Sequence, residues 1–198
     1  MKKTIYLVAV LFTTLTFAQK MKVQEGNIKN LKGIAKFELQ FDYTDVEIPK
    51  YKSEEAFLED KVAMREEKEE GSGEKFKKSW FSDRAEKYEP KFIESFNKRF
   101  KKAQVVVSKD DADYIMHIHT TFLYAGYNVG IVRQNSKVSA IITVSKKSEP
   151  NKVLLKGKYN YVQGNGAFGF DFDSGYRISE AYAKLAKNMA VYILKKAK

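Results

Sequence analysis

After Lys101 the chain is one strand-forming run after another: AQVVVS, ADYIMHIHTTFLYAG (112–126), YNVGIVR, KVSAIITVS and KVLLKGKYNYVQ. Runs of this kind must pair with each other, because their backbone donors and acceptors have no partner within a strand. Val138, Ala140, Ile142 and Val144 alternate with Ser139, Ile141, Thr143 and Ser145, the period of a strand with two unlike faces. Asn135-Ser136 and Glu149-Pro150-Asn151 are turn signals between the runs. The spacing predicts a meander of strands joined by short hairpins.

Other elements flank that meander. AKFELQFDY (35–43) places Phe37, Leu39, Phe41 and Tyr43 on one side and Lys36, Glu38, Gln40 and Asp42 on the other, a strand with one buried face. Pro49 blocks regular structure after it. Ser53 is a suitable N-cap for a helix whose first turn holds Glu54 and Glu55. The acidic, glycine-bearing segment near 66–75, with Gly71-Ser72-Gly73, reads as a break or a flexible loop. Tyr88, Phe92, Phe96 and Phe100 then recur at intervals of four, the stripe of a helix buried on a sheet, and Pro90 suits the start of a helical turn. From Ser174 to Lys198, Ile178, Tyr182, Leu185, Met189 and Ile193 share one helix face. The order strand, helices, strand meander, C-terminal helix predicts an α+β fold, with a mainly antiparallel sheet of five or six strands and helices on one face.

The N-terminus has the layout of a secretory signal. Lys2 and Lys3 precede a largely apolar Ile5–Phe17, and Thr16 and Ala18 are small residues at the −3 and −1 positions of a cut before Gln19. Residues 1–18 are therefore read as a signal peptide and 19–198 as a single domain, with no membrane-spanning segment after cleavage. The chain has no cysteine. That removes disulfides, thiol nucleophiles, cysteine-held zinc and a lipid anchor, so packing alone must stabilise the domain. Net charge is +11, although residues 54–74 carry nine acids against three bases. A basic exported protein suits an anionic envelope surface or an acidic envelope partner, and outside the cytoplasm nucleic acid is not an expected one.

Four motifs bear on chemistry. Gly164, Gly166 and Gly169 spell G-x-G-x-x-G, but Asp171 and Asp173 stand before the following helix and no second strand follows it, so the dinucleotide reading fails on context and no cofactor is expected. Phe168, Phe170 and Phe172 in the same loop are a candidate contact patch for a partner or a membrane surface. A calcium loop from Asp171 fails because Tyr176 and Tyr182 occupy the places that need glycine and glutamate; Asp173 or Ser174 as helix N-cap explains the polar pair. His117 and His119, two apart on a strand, point to one side and are candidate metal ligands that lack an identifiable third. No nucleophile–base pair or carboxylate pair stands out, so no catalytic residue is assigned.

Asp111, Ala112, Asp113 and Tyr114 lead into the long strand. With the order of elements over roughly residues 31 to 196, this chain resembles small exported bacterial envelope domains of unknown function. It is similar in layout to the N-terminal domain of TolB and to the curli-secretion lipoprotein CsgG. The resemblance implies an envelope setting; without the lipoproteins' acylated cysteine, pore formation does not carry over. The expectation is an exported envelope protein, in the periplasm, secreted or peripheral on the outer membrane, that binds a partner and is not an enzyme. The alternative is a metal-dependent envelope hydrolase using His117 and His119.

Overall fold

The computed structural model describes residues 20–100, 105–129, 132–164 and 173–198. The chain runs through β1 (Lys22–Gly26), a 3-10 turn (Ile28–Leu31), β2 (Lys36–Asp42), α1 (Glu54–Glu66), α2 (Ser72–Asp83), a π-helical turn (Arg84–Tyr88) and α3 (Glu89–Asn97). It continues through β3 (Val106–Ser108), β4 (Tyr114–Tyr124), β5 (Tyr127–Val129), β6 (Val132–Gln134), β7 (Lys137–Lys146), β8 (Glu149–Gln163) and α4 (Ser174–Lys196). Six strands form one sheet in the order β1-β8-β7-β4-β2-β3, and β5 and β6 make a separate ribbon.

The architecture is α+β, but the sheet is mixed where a mainly antiparallel one was expected. β2 pairs parallel with β3 and with β4, while β1-β8, β8-β7 and β7-β4 are antiparallel. The physical reason is the length of the connection. A hairpin reverses direction, whereas the helices between β2 and β3 carry the chain back to the end where β2 began. The expected YNVGIVR strand also leaves the meander. Tyr127–Val129 pairs instead with Val132–Gln134 as the β5–β6 ribbon, and β7 takes the place beside β4.

The sheet face with Phe37, Leu39, Met116, Ile118, Val138, Ile142 and Leu155 is fully buried, or nearly so, under the helices. The expected stripes supply the cover: Tyr88 from the π turn, Phe92 and Phe96 from α3, and Ile178, Tyr182, Leu185 and Met189 from α4. α3 and α4 pack on each other, and the Tyr88 ring stacks on Tyr182 with centroids 5.2 Å apart. Inside this contact Thr120 Oγ1 and the Tyr182 hydroxyl share a 2.6 Å hydrogen bond, which satisfies two buried polar groups at once.

Pro90 explains the π turn. Proline donates no N–H and its ring crowds the carbonyl four residues back. The turn before it widens, so that Glu89 N–H reaches Arg84 O, and the helix continues through the proline. The acidic Gly-bearing segment also has a local logic. The Glu66 carboxylate accepts from the amides of Gly71 (2.6 Å), Gly73 (2.9 Å) and Glu74 (3.1 Å), capping the start of α2. Those hydrogen bonds, the Gly71 amide first, hold the Glu66 carboxyl below its ordinary range. Any side chain at Gly73 would press on Val62 O and on that carboxylate, which is why the position is glycine.

Candidate ligand cleft

α1 and α2 form a hairpin set beyond the carboxyl ends of the parallel strands β2 and β4. Phe57, Lys61 and Arg65 are spaced by four on α1 and so lie along one face. Phe76 and Trp80 repeat the interval on α2. Their rings meet: Phe57 lies 4.8 Å from Trp80 and 6.1 Å from Phe76, and Tyr51 from the preceding loop lies 5.2 Å from Phe57. Trp80 is anchored by its indole N–H, which donates to Glu54 Oε1 at 2.7 Å, and the same oxygen receives Arg84 Nη2 at 2.6 Å.

These rings wall a cleft of about 480 Å³, closed on its other side by Leu123 to Tyr127 and by Arg177 from the first turns of α4. The volume falls within the roughly 300–1,000 Å³ usual for small-ligand pockets. Among the described residues the lining holds Lys50, Lys61, Arg65 and Arg177 and no Asp or Glu, although Asp60 just outside it pairs with Lys61 at 2.9 Å. The Arg65 guanidinium carbon lies 3.9 Å from the centre of the Phe76 ring, and Lys61 Nζ lies 5.5 Å from that of Tyr51. Arg177 Nε donates to Ala125 O at 2.9 Å, fixing α4 against the end of β4. Gly126 stands there with φ +66, and a methyl group on it would overlap the carbonyl of Gln134.

Beside the cleft lies an ion triple. Lys87 Nζ is 2.9 Å from Asp83 Oδ1 and 2.8 Å from Asp173 Oδ2. Asp173 is also the N-cap of α4, accepting from Tyr176 N at 3.1 Å, which settles the sequence choice between Asp173 and Ser174. The α4 backbone at Gly175 comes so close to the Asp83 carboxylate that a methyl group there would overlap it. Asp83 is only 6% exposed. Burial pushes its carboxyl above the ordinary range in spite of Lys87. For Asp173 burial acts in the same direction, but the Lys87 and Tyr176 hydrogen bonds outweigh it and its pKa falls.

The sign of the Asp83 effect gives a pH prediction. A carboxyl raised in the folded state holds its proton more tightly there than in the unfolded chain. Its stabilising contribution is present in acid and is lost as pH rises through the folded value. Asp83→Asn removes that ionisation and keeps an oxygen for Lys87. The variant should therefore gain stability relative to the parent between about pH 3.5 and about pH 7. Urea midpoints at the two pH values measure it; a difference that stays constant, or shrinks with rising pH, would contradict the prediction.

His117 and His119 do face one side of β4, opposite the helices. His117 Nε2 lies 3.8 Å from Asp42 Oδ2, and His119 Nε2 lies 3.0 Å from the Thr44 carbonyl. Asp42 Oδ1 accepts from both Thr44 N and Thr44 Oγ1 at 2.8 Å. Burial holds His117 below its ordinary pKa, partly offset by Asp42. Among the described residues no group of three His, Asp or Glu side chains is placed to hold a metal ion.

Phe168, Phe170 and Phe172 lie outside the described residues, as does the segment read as a signal peptide. Of the G-x-G-x-x-G triplet only Gly164 is described, and it has a packing role. Its N–H donates to Ser136 O at 3.0 Å, and a side chain there would press on Ser136 Oγ and on Ala181 N of α4. The cleft was not identified from sequence, though its signal was present. α1 is a weakly amphipathic helix because one of its faces mixes an aromatic ring with two cations.

No family model, curated protein or solved structure matches this chain. Among the described residues no helix is long and apolar enough to cross a membrane.

Proposed function

We propose that this is an exported, non-enzymatic binding protein of the bacterial envelope whose working site is the aromatic, cationic cleft between the α1–α2 hairpin, the end of β4 and the start of α4. One observation carries the reading: the cleft has the size and apolar walls of a ligand site, with a few fixed polar groups from three different elements. Among the described residues, those that line it include neither a histidine nor a carboxylate to serve as a general base. The signal-peptide layout and the resemblance to exported envelope domains support the location. The basic charge supports an anionic envelope partner or surface as a further point of attachment.

The reading is tested on the native protein in its own cells. Fractionation with low-salt and then high-salt washes, followed by native mass spectrometry of the recovered chain, should find it outside the cytoplasm, shortened at its N-terminus and carrying a small molecule. Attachment by charge would show as release in high salt, because exposed charge attraction is screened. A full-length cytoplasmic protein would overturn the location. A ligand-free mass from every fraction would overturn the assignment of the cleft.

A further inference from the structure

We infer that the cleft takes a small organic carboxylate with an apolar body, its charged end held by Arg65 and Lys61 with Lys50 and its body against Trp80, Phe76 and Tyr51. This rests on the cleft being the binding site, and it adds the chemical class of the ligand.

The argument comes from how α1 divides its charges. This helix carries five acids and only two bases. If its charged residues were distributed only for solubility, the cleft wall it provides would be acidic or mixed. It is neither. Glu55 and Glu59 lie on the opposite side, in a separate groove with Lys77. Glu54 is consumed by Trp80 and Arg84. Asp60 accepts from the Tyr51 hydroxyl at 2.5 Å and from Lys61 at 2.9 Å without lining the cleft. Glu66 caps α2. The two bases, Lys61 and Arg65, are the charges that α1 turns inward.

Lys50 joins them from the loop and Arg177 from α4, so three separate elements bring cations to one apolar recess. Cations gathered beside aromatic walls repel one another, and an anion relieves that repulsion. Arg65 adds geometry. A guanidinium packed on a ring face keeps donors in its own plane, which suits the two oxygens of a carboxylate. The rings alone would accept a neutral apolar body; the excess of cations over the one nearby carboxylate, Asp60 on Lys61, among the described residues is what selects the charge.

Trp80 is the chain's single tryptophan and stands in the cleft wall, so emission excited at the red edge of the indole band, where the 12 tyrosines do not absorb, reports on this place. The experiment titrates the signal-cleaved protein with decanoate and with naphthalene-2-carboxylate, and with the neutral amide of each. The expected result is a saturable change in Trp80 emission for at least one carboxylate, with its amide at least about tenfold weaker, the scale of one charge-assisted hydrogen bond. The two bodies separate a chain-bearing acid from a ring-bearing one. Arg65→Gln should weaken the carboxylate by about tenfold and leave the amide unchanged. Lys50→Gln, in an exposed loop position, should weaken the same acid and keeps the test open if Arg65→Gln does not fold.

Equal binding of acid and amide would overturn the carboxylate inference and leave the cleft as the binding site. A carboxylate that binds the parent, Arg65→Gln and Lys50→Gln equally would also overturn it. No response to any of the four probes would overturn it together with the cleft assignment.

Discussion

Phe92→Ala lowers folding stability by about 3–5 kcal/mol, the cost of emptying a large aromatic site that cannot collapse. Phe92 is fully buried. Its ring meets Phe41 of β2 edge-on at 5.7 Å and stacks with Phe96 at 6.3 Å, so it joins α3 to the sheet. The surrounding groups sit on a sheet and on a helix packed against α4, and neither can move inward cheaply. Urea unfolding followed by circular dichroism measures it, and a loss below about 1 kcal/mol would mean that this stripe is not a core element.

Glu54→Ala is expected to cost about 2–3 kcal/mol and to disturb the cleft at the same time. One carboxylate oxygen serves both the Trp80 indole N–H and Arg84. Removing it leaves an indole donor and a guanidinium largely buried without that acceptor. Leaving one charge of a buried pair unmatched costs up to about 5 kcal/mol, but the Arg84 and Glu54 side chains are 17% and 15% exposed, so water recovers part of it. Trp80 emission should shift to longer wavelength as the ring loosens. Glu54→Gln keeps an oxygen for the indole, so it should retain the parent emission while losing part of the stability. Equal emission spectra for Glu54→Ala and the parent would show that packing alone holds the ring.

The two predictions differ in what sequence reasoning could supply. The Phe92 stripe is a repeat of four within one helical stretch, a local pattern that needs no knowledge of what it packs on. In the Glu54–Trp80–Arg84 junction Trp80 and Arg84 are four apart on one helical stretch, but no periodicity connects them to Glu54 on α1. The same division runs through the site. Asp173 as an N-cap follows from its place at the start of an amphipathic helix. The triple it forms with Lys87 and Asp83 depends on α4 docking beside α2. His117 and His119 point the same way because strands alternate, but which groups surround them is set by β2 lying parallel alongside β4 and by the loop that follows β2.

What the amino-acid order determined by itself is therefore local: most strand and helix runs and which face of each is apolar, and that a cysteine-free chain must rely on packing, while β1 went unread and the turn expected at Glu149-Pro150-Asn151 falls two residues earlier, at Lys147-Ser148. The tertiary structure decided the rest. It set the parallel pairing of β2 with β3 and β4, the pairing of β5 with β6 as a separate ribbon, and the convergence of Lys50, Lys61, Arg65 and Arg177 around the Trp80 wall. Periodicity arises from the geometry of a single element, whereas pairing partners and clefts arise from contacts between residues far apart in the chain. Those contacts are chosen by the packing of the whole domain.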